Sequence, residues 1–208
     1  KRWLPNMFSV MPPAGPSGYF ISSAALFDGT SGHLSRTPSA GNRRTFTISY
    51  WSKTPDPVAG INYATFGQGT SIAGGGAAVY QEGGKFRFYE PTASGSRISA
   101  GRYRDYAAWS HWVVKNDTTQ ATEADRSRIY LNGTEITIGS GTYPTLNFDY
   151  TLNQAVEHTI GSTTNNSYYV QGYMAEFVFI DGTAYDPTSF GETNDDGFWT
   201  PKSPKALT

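Results

Sequence analysis

Apolar and polar residues alternate with a period of two along most of the chain, in short runs broken by Gly, Pro and Asn. In Phe46–Lys53, Phe46, Ile48 and Tyr50 fall on one face of a strand and Trp51 on the other. Ala77–Glu82 and Lys85–Tyr89 flank Gly83-Gly84, which supplies the positive φ angles of a tight hairpin turn. Arg128–Ile138 flanks Asn132-Gly133, and a type I′ turn there pairs Leu131 with Thr134 and Ile129 with Ile136. Trp112–Val114 and Glu176–Ile180 are apolar on both faces, as central strands are when covered on each side. One helical turn is predicted near Asp186–Phe190, with Asp186 as cap and Pro187 in the first helical position. No internal repeat is visible. The pattern predicts an all-β fold, a two-sheet antiparallel β-sandwich over residues 19–199. Residues 1–18 carry four prolines and no period, and read as an extended arm or linker, with Trp3, Met7 and Phe8 available to pack on a neighbour. Residues 200–208 read as a similar C-terminal tail.

Composition agrees with that pattern. The 208 residues include 23 Gly, 14 Tyr and 12 Phe, suited to turns and pleated, half-buried surfaces. There is no cysteine, so neither disulfides nor thiolate metal sites contribute. This suits a reducing interior and an exposed particle equally. Sixteen basic and seventeen acidic residues leave a net charge of −1, which excludes the global basic field of a nucleic-acid binder. Arg97, Arg102 and Arg104, with Tyr103 interleaved, form either a local patch or a solvated face. No run approaches the roughly 18 apolar residues of a membrane helix. The chain starts at Lys1 without an initiator Met or a signal-type apolar stretch, so it reads as trimmed, and export stays open.

Three segments in order carry a resemblance to a known family. Leu26–Gly29 with Gly32–Leu34 resembles an opening strand of the LamG-like jelly roll of the concanavalin A-like superfamily. Trp109–Val113 with Ile129–Gly133 resembles that family's central pair, and Gly172–Ile180 its closing strand. The closing Asp-Glu of the family is Ala175-Glu176 here, so any role of that Asp is lost. Residues 35–53, 117–133 and 179–202 are further similar to LamG-like proteins of bacteriophages. That resemblance implies a virion-surface location and adhesion to a host glycan or receptor, without catalysis. The alternative it leaves is a structural virion component, a capsid decoration, fibre or tail protein docking on other virion proteins through its arm. A homo-oligomer is expected in either case.

A retaining glycosidase needs two carboxylates roughly 5.5 Å apart, and no Glu-x-Asp-x-x-Glu run supplies them. His33, His111 and His158 are the only histidines, with no nucleophile elbow near them, and His111 reads as a satisfied structural residue. Thr193–Trp199 resembles a sialidase Asp-box but reads as a turn, with Trp199 as a plug on the sandwich edge. No cofactor is required. Calcium is the one candidate ion, with Asp117, Asp181, Asp195 and Asp196 at strand ends or in loops, where turn formation is the alternative use. Sugar recognition needs an aromatic platform beside amides. Asn165, Asn166, Tyr168 and Tyr169 form such a loop, with Tyr103, Tyr63 and Tyr106 as further candidates. The alternative is ordinary cross-strand packing.

Overall fold

The computed structural model describes residues 16–54, 62–69, 76–92, 95–106, 108–164 and 167–207. In chain order the strands are β1 (Ala25–Asp28), β2 (Leu34–Arg36), β3 (Thr45–Lys53), β4 (Asn62–Gln68), β5 (Ala78–Glu82), β6 (Lys85–Tyr89), β7 (Arg97–Ser99) and β8 (Ser110–Asp117). They continue as β9 (Ser127–Leu131), β10 (Thr134–Glu135), β11 (Ile138–Gly141), β12 (His158–Ile160), β13 (Gln171–Asp181), β14 (Gly191–Thr193) and β15 (Trp199–Pro201). One sheet has the order β1-β13-β3-β8-β9-β10 and faces a second, β11-β7-β6-β5-β4-β12-β2. The pairings within both sheets are antiparallel, so the molecule is the expected two-sheet sandwich.

The alternation in the sequence is what joins the sheets. Phe46, Ile48 and Tyr50 of β3, Trp112 and Val114 of β8 and Ile129 of β9 meet Tyr63, Phe66, Val79, Phe86 and Phe88 from the facing sheet. Phe86 stacks on Trp112 with ring centroids 4.4 Å apart. Each such side chain taken out of water contributes about 1.5–3 kcal/mol. Both hairpins form as the sequence predicts: Gly83 and Gly84 have φ of 54° and 80°, Asn132 and Gly133 of 48° and 79°. Leu131 faces Thr134, and Ile136 donates its N–H to Ile129 at 2.9 Å.

The first sheet is covered on its outer face as well, which explains why β8 and β13 are apolar on both sides. Val113 and Tyr130 pack there against Phe190, with Tyr185 and Leu207 alongside. Trp51 and Trp109 pack against Ile21 and Ala175, with Trp199 and Tyr19 alongside. Residues expected as a free tail after 199 therefore belong to this cover: Trp199–Pro201 pairs with Gly191–Thr193, and Leu207 reaches the cluster on Val113. The predicted helical turn is a 3-10 turn, Pro187–Ser189, with Pro187 leading it. Asp186 makes no side-chain cap bond and instead accepts from Lys115 Nζ at 2.6 Å. Among the described residues no helix is long and apolar enough to cross a membrane.

Strand directions sort the loops into two rims. The ends of β3, β5 and β9 and the starts of β6, β8 and β13 lie at one rim, with residues 100–106, 108–109, 161–164 and 167–170. The turns at 117–126 and 142–157 and the end of β13 lie at the other.

Candidate functional site

At the first rim the inward alternation changes character. The series Phe46, Ile48, Tyr50 ends in Ser52, and Val79 is followed on the same face by Gln81. Trp112 stands opposite Tyr50 on β8, in the same layer. Together with Tyr103, Tyr106 and Trp109 they line a pocket of about 260 Å³ between the ends of the two sheets. Polar and aromatic groups thus occupy positions that deeper in the sandwich hold Phe and Ile.

Trp112 is 1% exposed, yet its indole Nε1 has no hydrogen-bond partner among the described residues. An indole N–H can only donate, and leaving one buried and unpaired costs about 1–3 kcal/mol. The atom is closed to solvent, so an acceptor oxygen reaches it only if the surrounding side chains shift. Tyr103 stands edge-on to Trp112, at 5.0 Å and 83°, and its own N–H is anchored on the Gly84 carbonyl at 2.7 Å. Burial raises the Tyr103 phenol above its ordinary pKa, so it stays a neutral donor. The Arg102 guanidinium donates to the Gly83 carbonyl, tying the loop to the hairpin below it. Tyr106 also borders an adjoining cleft with Lys53, Thr54 and Gly172.

The structure separates the sugar-binding candidates read from the sequence. Tyr103 becomes a wall of the pocket rather than a surface platform. Tyr168 is on the same rim at 40% exposure. It has a φ of +56°, and its carbonyl accepts from Ala64 N–H at 2.8 Å. Tyr169 lies against His33, with centroids 6.1 Å apart. Asn165 and Asn166 fall outside the described residues.

The four carboxylates considered for calcium are not gathered. Asp117 and Asp181 sit at the opposite rim, on the two strands flanking the start of β3. Asp117 accepts from the side chains of Thr119 (2.6 Å) and Gln120 (2.5 Å), bonds that outweigh its partial burial and hold its pKa below the ordinary value. Asp181 accepts from Asn42 N–H (2.7 Å) and Asn153 Nδ2 (2.6 Å). Asp195 and Asp196 are exposed at the tip of the β14–β15 hairpin, whose turn is closed by Asn194 Oδ1 accepting from Asp196 and Phe198 N–H. Among the described residues no three His, Asp or Glu converge to hold an ion. Asp28 serves its turn in the same way: it accepts from the N–H groups of Thr30, Ser31 and Gly32, which push its carboxyl well below the usual range.

His111 lies next to Trp112 but points to the outer face. It is stacked between Trp51 (4.7 Å) and Trp199 (6.0 Å). Trp199 Nε1–H donates to Nδ1 at 3.0 Å, so the proton of the neutral ring is on Nε2, which donates to Ser49 Oγ at 2.9 Å. The pair therefore cannot work as nucleophile and base, because the imidazole has no free lone pair toward Ser49. Burial lowers the pKa of His111 to about 3. Glu176 is likewise engaged: Tyr19 OH donates to it at 2.6 Å, and burial together with this carboxylate raises the tyrosine to about 12.

A sequence comparison completes the picture. Residues 28–186 match the Laminin_G_3 family of the concanavalin A-like lectin/glucanases superfamily. The chain belongs to that family. No curated protein matches its sequence. Among solved structures, the chain is similar to NanB bound to Optactamide, at 14% identity and TM-score 0.55, over 80% of this chain but 26% of that one. It is also similar to the heptameric SAP-like pentraxin of Limulus polyphemus, at 15% identity and TM-score 0.50, over 74% and 73% of the two chains. The binding domain of Botulinum neurotoxin serotype D matches at 8% identity and TM-score 0.51, over 86% of this chain and 48% of that one. At these identities the likeness is one of fold. Domains of this lectin-like fold are in general binding modules, and nothing in the site points to catalysis.

Proposed function

We propose that this domain is a non-catalytic adhesion module of a phage virion surface, which binds a host-cell glycan or receptor in the rim pocket bounded by Tyr103, Tyr106 and Trp112. The observation that carries the reading is the rim pocket walled by Tyr103, Tyr106, Trp109 and Trp112, at which the inward positions have turned from apolar to polar. Pyranose rings offer apolar faces to aromatic walls, while Ser52, Gln81 and Asn132 are at hand for their hydroxyls. The NanB, pentraxin and toxin-domain neighbours lend the fold-level analogy only. The phage setting rests on the resemblance of residues 35–53, 117–133 and 179–202.

A glycan array probed with the purified chain tests this, with host cells as a second surface. Saturable binding that falls at least tenfold in Trp112→Phe and Tyr106→Ala, with the fold unchanged by circular dichroism, supports the rim pocket. Binding that survives both changes but is lost in Tyr168→Ala moves the site to the 161–170 loop. No binding on either surface leaves the structural virion role.

A further inference from the structure

The two sheets do not close fully on the side where β13 faces β12 and β2. Phe177, Phe179 and Ile160 pack against the central core yet stay half-buried, whereas Phe46, Ile48, Phe86 and Phe88 are sealed. A bulge sets up this difference. Met174 faces the core and Ala175 the outer face, so unbroken alternation would turn Glu176 and Val178 inward. Instead the register shifts between Ala175 and Val178, with Glu176 at a strained φ of +48°. Phe177 and Phe179 thereby join the core side, and Val178 and Ile180 pack on the outer cover. The strain keeps a carboxylate out of the interior and brings two phenyl rings in.

These rings border a cavity of about 320 Å³ whose walls include Leu34, Phe66 and Ile160. Phe66 holds the pair in place, with centroids 5.2 Å from Phe177 and 5.8 Å from Phe179. A dry cavity of about 150 Å³ takes one benzene, so this one has room for roughly twice that, a chain of about eight to ten carbons. A cleft that shares Leu34, Ile160 and Phe177 continues it past Phe27 and Met174. The polar groups around the cavity are committed, with one exception. His158 Nε2 accepts from Asn153 N–H at 3.2 Å, and Nδ1 donates to the Val156 carbonyl at 2.8 Å. Burial lowers the pKa of this histidine, which keeps the ring neutral. Asn153 Nδ2 donates to Asp181, which also accepts from Asn42 N–H. Among the described residues no carboxylate lines the cavity. The exception is Arg36. It stands opposite His158, as Leu34 stands opposite Ile160, so both share the inner face of the edge strand β2. Its guanidinium has no hydrogen bond or ion pair among the described residues.

We infer that this cavity is a second binding site, which takes a free medium-chain fatty acid with its chain among Phe66, Phe177 and Phe179 and its carboxylate on Arg36. Charge complementarity selects the head group. A fixed cation without a counter-ion, at the edge of an otherwise uncharged cavity, favours an anion. The planar guanidinium meets a carboxylate through two parallel N–H···O bonds. The phenyl walls select the body, because a sugar or a peptide would leave hydroxyls or amides unpaired against them. An acyl chain esterified in a membrane has no free carboxylate, so Arg36 favours the free acid over a lipid surface. The cavity shares no lining residue with the rim pocket, and the inference does not depend on that reading.

Isothermal titration of the full chain with octanoate tests this, with octan-1-ol and octylamine as probes that share the chain but not the carboxylate. Octanoate is expected to bind one to one, about tenfold more tightly than the alcohol. Arg36→Gln is expected to bring octanoate down to the level of the alcohol while leaving the alcohol unchanged. Leu34 is 58% exposed, so a larger ring there is accommodated without disturbing the core. Leu34→Trp is therefore expected to narrow the cavity and weaken both probes, with the circular dichroism of the parent. Equal affinity for octanoate and octan-1-ol overturns the inference, as does an Arg36→Gln variant that binds octanoate like the parent. Absence of saturable octanoate binding overturns it too. A chain that ignores octanoate and sediments as a dimer, dispersed by Leu34→Trp, overturns it in favour of a second copy of the chain.

Discussion

His111 and Trp112 are neighbours on β8 and face opposite sides of the same sheet, and the two faces are built to different ends. On the outer face every polar atom of His111 is matched: Trp199 donates to one nitrogen, Ser49 accepts from the other, and two indoles close over the ring. On the inner face Trp112 is buried just as deeply, but its N–H has no hydrogen-bond partner among the described residues. A sealed and satisfied polar group stabilises one conformation; a sealed and unsatisfied one gains only when something else arrives. The comparison assigns the outer face to holding the C-terminal cover in place, and the inner rim is the face on which the proposed ligand site lies.

The largest expected effect breaks the outer face. A histidine held neutral, with its folded pKa at about 3 against an unfolded value near 6.5, contributes stability that is complete above pH 6.5 and is lost as pH falls toward 3. Over that window the unfolded state binds the extra proton, with a limiting slope of about 1.4 kcal/mol per pH unit, or roughly 4 kcal/mol by pH 3. His158, also lowered by burial, works in the same direction, whereas the carboxyl of Glu90, raised chiefly by burial, works against it. Urea midpoints between pH 7 and 4.5 in the parent and in His111→Asn isolate the term. A parent slope that survives the substitution would refute the assignment.

Somewhat smaller is the loss on Trp199→Ala. It removes a ring from the cover and leaves His111 Nδ1 without its donor, at a cost of about 3 kcal/mol in denaturant unfolding. Gly133 marks how close this packing is: a Cβ there would lie 2.5 Å from the Trp199 ring, at a φ of +79° that already disfavours side chains. Gly133→Ala is therefore expected to loosen the same contact while binding at the rim pocket is retained.

The elements on which this comparison rests were legible to different degrees. The strand alternation of Phe46–Lys53, both turn dipeptides and the two-sided apolar runs of β8 and β13 specify the sandwich, because side-chain period and turn chemistry are local properties. His111 could be read as structural from its strand, but its partner Trp199 is 88 residues away and was expected on the sandwich edge rather than over the sheet. The rim pocket was written in the sequence as Ser52 and Gln81 replacing the next apolar inward residue. Recognising them required knowing that β3 and β5 end at the same rim, which only the topology supplies. The aspartates misdirected attention for the opposite reason. A carboxylate in a loop looks alike whether it binds an ion or closes its own turn, and Asp28, Asp117 and Asp181 accept from nearby backbone and side-chain donors.

The inner face yields smaller effects with a sharper contrast between stability and binding. Trp112→Phe keeps the stack on Phe86 and deletes only a donor that has no partner, so unfolding free energy is expected to change by less than about 1 kcal/mol. Affinity for the glycan identified on the array is expected to fall about tenfold, the equivalent of one lost hydrogen bond of roughly 1.4 kcal/mol. A variant that loses stability and keeps its affinity would show that the indole serves the core alone.

The smallest expected effect is that of calcium. A site saturated at a hundred times its dissociation constant would add about 2.7 kcal/mol to the folded state, which for a domain of this size is a rise of several degrees in the melting midpoint. Asp117 already accepts hydrogen bonds from its own loop and Asp181 from Asn42 and Asn153, and the two stand on strands separated by β3, while Asp195 and Asp196 project from a hairpin on the outer cover. An ion would have to displace those bonds before gaining its own ligands. Scanning calorimetry in millimolar calcium and in chelator is therefore expected to give coincident transitions, with glycan binding equal in the two. A calcium-dependent rise would mean that the loops carrying these aspartates rearrange, and the contrast between a fully satisfied face and an open one would then extend to the far rim.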